Sequence, residues 1–338
     1  MKNIKLTEAQ KRWAKIGGVI LYFLLLLFLI FNSKSIVTDS LGNEIVKFDR
    51  IAFSIFGRGI YFYALAIITG IGTAYFYANH IAKKIGFKEE NLFDGFIYGV
   101  ILGIVGARLW YVLFSWSDFK DDPLRIITGF FAEEGGLAIH GGIITAGIFA
   151  YFFCKKRNED PLKLGEMLFP GFLIGQIFGR WGNFFNKEAH GGAIGSVLSG
   201  RQFLDSLPIP RFIVDQMYIN GNYMHPTFLY EAMWNFIGLV IIIILRKNSK
   251  KYWYGDGIPF YFVWYGIGRF FIESLRTDAL TFNLFGMEFM IAQVTSIAMI
   301  LGGIVLFTLR RVFKYQPISF IDLVEQTEVE NAMKGDAA

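Results

Sequence analysis

Apolar stretches of about 20 residues recur near 13–32, 59–79, 93–115, 138–154, 164–182, 227–245, 257–275 and 289–309. Each is close to the length at which an α-helix crosses a bilayer, the fourth being the shortest. In lipid, only helices and closed barrels satisfy the backbone's hydrogen bonds, and runs this long are helical. The spacing predicts an all-α integral membrane protein, a polytopic bundle of about eight transmembrane helices with a small extracytoplasmic head. Composition agrees, since 54% of the chain is hydrophobic and only 18% charged, where soluble domains carry about a quarter charged residues. The first run, "GGVILYFLLLLFLIF", is long for a signal peptide and "FNSKS" offers no small-residue cleavage site, so it reads as a retained helix.

Positive charge sets the direction. Lys2, Lys5, Lys11, Arg12 and Lys15 precede the first span and should stay in the cytoplasm. Counting forward, the expected cytoplasmic loops hold Lys83, Lys84 and Lys88; Lys155, Lys156, Arg157 and Lys163; Arg246, Lys247, Lys250 and Lys251; and Arg310, Arg311 and Lys314. The expected external loops, near 33–58, 117–137, 183–226 and 276–288, are sparse or mixed in charge. Both termini are therefore expected inside. Three parts follow: residues 1–55, a cytoplasmic segment, the first helix and an external loop; 56–312, the main membrane domain, with its head at 183–226; and 313–338, a cytoplasmic tail that reads as solvated and frayed.

Several classes fall away. One cysteine, Cys154, permits no internal disulfide or CxxC site, and its bland reading is a small buried residue. His80, His140, His190 and His225 are scattered, so no metal is expected. No tract of Lys and Arg with interleaved aromatics points to nucleic acid. Neither GxSxG nor HExxH occurs, against a hydrolase, and no internal repeat supports an inverted-repeat transporter.

Ionisable residues inside spans are costly and mark function by default. They gather at the outer ends. In "GRWGNFFNKEAHGG", 179–192, Arg180 and Asn183 share a helix side. In "YGIGRFFIESLRTD", Arg269, Glu273 and Arg276 form one stripe at i, i+4, i+7, although Arg269 and Glu273 could simply pair to close a bundle. "EEGGLAIHGG" sets His140 among Gly135, Gly136, Gly141 and Gly142, where a backbone or lipid can come close. "HPTFLYE" opens the sixth span with Tyr230 and Glu231, as interface anchors or as direct participants. Two arginines at one depth suit a phosphate, because guanidinium forks match its oxygens and stay charged. A transporter or flippase of an anionic lipid would use the same pair, but transport sites lie near the midplane and these residues cluster at one face.

"GRWGNFFNKEAHGG" resembles the signature of the bacterial phosphatidylglycerol–prolipoprotein diacylglyceryl transferases. "GIYFYAL", "GARLWYVLF", "GGLAIHGG", "HPTFLYE" and "GRFFIESLRTD" resemble that family's other blocks, covering roughly 55–310. The resemblance implies transfer of the sn-1,2-diacylglyceryl group of phosphatidylglycerol to the lipobox cysteine thiol of prolipoproteins, with no cofactor, at the outer face of the bacterial cytoplasmic membrane. Its expected partners are phosphatidylglycerol, prolipoprotein signal peptides and the bilayer. Carried over by motif, Arg180, Asn183, Glu188 and Gly191 hold the signature positions, Tyr63 the first-helix tyrosine, His140 the functional histidine and Arg269 the second arginine. The expected roles are phosphate binding by Arg180 and Arg269, headgroup hydrogen bonds from Asn183 and Tyr63, orientation of an arginine or the glycerol by Glu188, and for His140 either base catalysis or, where the field of the arginines yields the thiolate, a hydrogen bond to the phosphate or headgroup. Tyr230, Glu231, Glu273 and Arg276 would support them. Ala64 and Gly192 depart from the residues usual there, and the 13–32 span is additional to the family's seven helices. A lateral opening for acyl chains is expected near the small-residue breaks "GGIITAG" and "GVILGIVGARLW".

Overall fold

The computed structural model describes residues 7–131, 136–284 and 287–336, so Lys2, Lys5 and Gly135 lie outside the described residues. Long helices occupy every apolar stretch: α1 (Glu8–Asn32), α2 (Phe62–Lys84), α3 (Glu89–Phe114), α5 (Ile139–Arg157), α6 (Pro161–Asn186), α9 (Thr227–Asn248), α10 (Gly257–Glu273) and α11 (Ile291–Val312). Of these, α3, α9 and α11 are long and apolar enough throughout to cross a membrane. Their ends follow capping chemistry. Glu89 and Glu90 begin α3, whereas Lys83 and Lys84 end α2, and Lys155, Lys156 and Arg157 end α5, each charge complementing the helix dipole. Pro161 takes the first position of α6, where its missing N–H is harmless.

Polarity is inverted relative to a soluble core. Leu301, Ile304 and Val305 of α11 are exposed, while Glu166, Glu231, Asn235 and Arg246 are at most 4% exposed. Lipid, which solvates leucine and not carboxylate, rewards that arrangement.

The chain divides into two compact units. The first comprises Met1–Gly72, Ile174–Ile237 and Tyr265–Ala298. The segments between its long helices carry structure that the sequence did not announce. β1 (Lys34–Thr38) pairs antiparallel with β2 (Glu44–Phe48), β3 (Ile51–Ile55) with β4 (Arg58–Tyr61), β5 (Tyr218–Ile219) with β6 (Asn222–Tyr223), and β7 (Thr281–Leu284) with β8 (Met287–Met290). Helices α7 (Val197–Ser206) and α8 (Arg211–Gln216) complete the head. Phe48, Phe62, Phe184, Phe185, Leu204, Met217, Tyr223 and Phe228 fill one apolar core. Gln216 is wholly buried and stands in for a strand, accepting from Phe48 N at 3.0 Å and donating to Phe48 O. Lys47 Nζ, also buried, donates to the carbonyls of Asp215, Gln216 and Tyr218.

The second unit comprises Thr73–Leu173, Gly238–Trp264 and Met299–Ala338. Here α3 and α5 press together through glycine: a Cβ on Gly106 would lie 2.1 Å from Thr145 Oγ1, and one on Gly141 2.2 Å from Trp110 Cβ. The small-residue breaks therefore weld these two helices to each other, and Gly141 serves packing rather than access to His140. Arg108 of α3 binds the carbonyls of Arg125, Ile126 and Gly136, each at 3.0 Å, which ties down the segment carrying α4 (Arg125–Phe131). The C-terminal segment corrects the expectation of a frayed tail. It forms α12 (Phe320–Asp336), whose Phe320 and Leu323 join Ala82, Ile85, Phe87 and Tyr252 in the unit's core. A short apolar face among acidic neighbours was enough to dock it.

Candidate active site

In the first unit, α6 presents Arg180 and Asn183 three residues apart, and Arg180 Nη1 donates to Asn183 Oδ1 at 3.1 Å. Beyond the end of α6 the chain reverses through two residues in the left-handed region, Lys187 (φ 56) and Ala189 (φ 53). That reversal returns Glu188, whose Oε1 accepts from Asn183 Nδ2 at 3.0 Å and Asn186 Nδ2 at 3.1 Å. Glu188 thus reaches Arg180 through Asn183. Thr227, at the start of α9, fixes the turn by donating to Ala189 O at 2.6 Å.

The partner of Arg180 that no local spacing supplied is Glu231, one turn into α9. Arg180 Nη2 lies 2.8 Å from Glu231 Oε1, and Arg269 Nη1 lies 3.4 Å from Glu231 Oε2. One carboxylate, 2% exposed, bridges the two arginines expected to hold a phosphate. The stripe on α10 closes as well, with Arg269 Nη2 2.8 Å from Glu273 Oε2 and Arg276 Nε 3.9 Å from the same oxygen. The pairing of Arg269 with Glu273 is therefore real, and it is one edge of a larger lattice rather than a closed pair. Arg276 grips Asp278 in a fork of 2.9 and 2.7 Å and holds that carboxyl below its ordinary range. The side chains of Arg180 and Arg269 remain 18% and 17% exposed, with donors left to offer a ligand.

The signature glycines have separate structural reasons. A Cβ on Gly182 would fall 2.6 Å from the Tyr63 ring, so this glycine is what lets Tyr63, in the first turn of α2, lie against α6. Gly191 forms a bridge with Arg276 and donates to His225 O at 2.9 Å; a Cβ there would meet His225 Cβ at 2.7 Å and Leu275 O at 2.8 Å. It joins the signature loop to the end of the α10 stripe by close backbone approach. Tyr230 lies 3.4 Å from His225 Nδ1, and burial pulls the His225 imidazole below its usual pKa. His140 belongs to the second unit, where it occupies the first turn of α5 and is exposed.

Several members escaped sequence reading. Asn186 shares Glu188, Asp278 holds Arg276, and Tyr265 is close enough to Glu231, Arg269 and Arg180 to feel their charges. Tyr265 precedes Arg269 by four residues, so extending the stripe one turn backward would have found it.

A family model described as prolipoprotein diacylglyceryl transferase matches residues 50–309, which span every residue of the lattice. Among curated relatives, the phosphatidylglycerol–prolipoprotein diacylglyceryl transferase of Staphylococcus xylosus is 40% identical over 275 residues, 81% of this chain and 94% of that protein. The proteins of that name from Enterococcus faecalis and Staphylococcus aureus are also 40% identical, over 79% and 80% of this chain and 92% and 91% of their own lengths. By the family match and these identities across nearly whole relatives, the chain belongs to the prolipoprotein diacylglyceryl transferase family.

Proposed function

We propose that this protein transfers the sn-1,2-diacylglyceryl group of phosphatidylglycerol to the lipobox cysteine of prolipoproteins. The observation that carries this reading is the Arg180–Glu231–Arg269 bridge, two partly exposed guanidinium groups fixed side by side by one buried carboxylate. The substrate thiolate attacks the glyceryl carbon that bears the phosphate; a C–S bond forms, the C–O bond breaks, and glycerol phosphate departs with the electron pair. Negative charge concentrates on the leaving phosphate, and preorganised cations in a water-poor site lower that barrier by about 3–4 kcal/mol per donor. Arg180 and Arg269 take this role. Asn183 and Tyr63 bind the headgroup, Glu188 orients Asn183, and Glu273, Arg276 and Tyr230 support the framework. A thiol with pKa ~8.5 must lose its proton, and in this reading His140 is the base that takes it.

In this reading all eight long helices cross the bacterial cytoplasmic membrane, both termini are cytoplasmic, and the lattice faces outward. The positive clusters after α2, α5, α9 and α11 support that direction. Mass spectrometry of a lipobox peptide incubated with the protein and phosphatidylglycerol tests the activity. A diacylglyceryl adduct on the cysteine is expected. Its absence with lipid still bound would return the protein to the lipid-transport reading.

A further inference from the structure

Beneath the arginine lattice lies a second polar layer that the reaction as described does not use. Four residues from Arg180, Glu231 and Arg269, each toward the middle of its helix, stand Gln176, Asn235 and Tyr265. Four residues of α-helix rise about 6 Å, so the three share a level one turn below the phosphate clamp. Gln176 and Tyr265 are already engaged. Asn235 is not: it is 0% exposed, and neither Oδ1 nor Nδ2 has a hydrogen-bond partner among the described residues. The preceding Trp234 packs tightly against α10, where a Cβ on Gly268 would lie 2.3 Å from its ring. Burying an unpaired amide is unfavourable, and a chain that keeps one inside an apolar helix has a use for it.

The ligand class follows from depth and from what an amide can donate. In a diacyl phospholipid the group a few bonds below the phosphate is the carboxylic ester, whose carbonyl oxygen accepts hydrogen bonds and cannot donate them. We propose that Asn235 is a recognition site for an ester carbonyl of the diacylglyceryl group, with Nδ2 donating while Arg180 and Arg269 hold the phosphate. The proposal rests on phosphatidylglycerol being the substrate. Asn235 acts away from the reacting carbon, spending remote binding energy to set the glyceryl carbon in place.

The test compares transfer from diacyl phosphatidylglycerol with transfer from its dialkyl ether analogue, which has the same headgroup and the same breaking C–O bond but no carbonyl. The parent protein should favour the diacyl lipid in kcat/KM by about five- to tenfold, the range of one neutral hydrogen bond. Asn235→Leu, which keeps the side chain branched at Cγ and is free of the unpaired amide, should fold and should bring that ratio near one by losing rate on the diacyl lipid alone. Equal loss on both lipids would make Asn235 a packing residue and overturn the proposal. So would an unchanged ratio in Asn235→Leu, the result expected if the amide merely holds water, or a parent protein indifferent to the carbonyl. If the parent transferred neither lipid, the functional reading itself would fall, a different result from indifference.

Discussion

Two charge clusters, one in each unit, use the same residue types to opposite ends. In the second unit Glu166 is 0% exposed and its carboxylate is saturated from within: both oxygens accept from Tyr252 Oη at 3.0 Å, Oε1 accepts from Gly255 N at 2.7 Å and Gly257 N at 2.9 Å, and Arg246 completes the set. Arg246 also binds Tyr77 Oη and the carbonyl of Glu166, and is 4% exposed. In the first unit the carboxylate Glu231 is as deeply buried, but its two arginines keep exposed edges and share it between them. A buried charge that holds a fold together is enclosed by its own chain; one that serves a ligand is steadied on one side and left open on the other.

Removing the arginine of each cluster should separate the two roles most sharply. Arg246→Ala strands Glu166 in the interior, and loss of one partner of a buried pair costs about 3–5 kcal/mol. Thermal unfolding in detergent should show a steep fall in melting temperature and a low yield of folded protein. Arg180→Ala leaves Glu231 with Arg269, so the fold should persist while turnover falls on the order of 10²–10³-fold. Comparable melting losses in both variants would break the distinction.

Exchanging carboxylate for amide at the centre of each cluster sharpens it further. Glu231→Gln uncouples the two arginines and should lower kcat/KM by about tenfold at nearly constant stability, the scale of a charge-assisted hydrogen bond. Glu166→Gln should lower stability and leave the kcat of the folded fraction unchanged.

The smallest effect is expected in the head, whose Asp39 belongs with the enclosed kind. Burial favours its neutral form, but hydrogen bonds from the Tyr223 hydroxyl, from Asn43 and from Leu41 N outweigh it and bring the carboxyl down to about 2 from an ordinary 3.8. A depressed carboxylate stabilises the fold above its ordinary pKa and loses that contribution as pH falls toward 2. Asp39→Asn should flatten this acid dependence and lower the melting temperature at neutral pH by a few degrees. An unchanged acid limb would mean that Asp39, despite its contact with Arg201 at 3.1 Å, is not what the head loses in acid.

Much of the architecture was legible in the chain because the information is local. Apolar runs of bilayer length give helices wherever they occur, and spacings of three and four place Arg180 with Asn183 and Arg269 with Glu273 on one helix face. The signature blocks named the family from residue identity alone. Tertiary structure decided what long separations control. Glu231 was visible as a polar residue near a helix start, but that it bridges Arg180 and Arg269 depends on three helices meeting at one level. The hairpins of the head and the docking of α12 depend on partners far along the chain, and no period announces them. Gly182 and Gly191 look alike in the signature, yet one makes room for a tyrosine and the other for a backbone crossing. Asn235 carried no signal at all in a hydrophobic run, and only burial with both amide atoms unpaired set it apart. Helices follow from short-range periodicity and solvent, whereas the contacts between them form only after packing has chosen which faces meet.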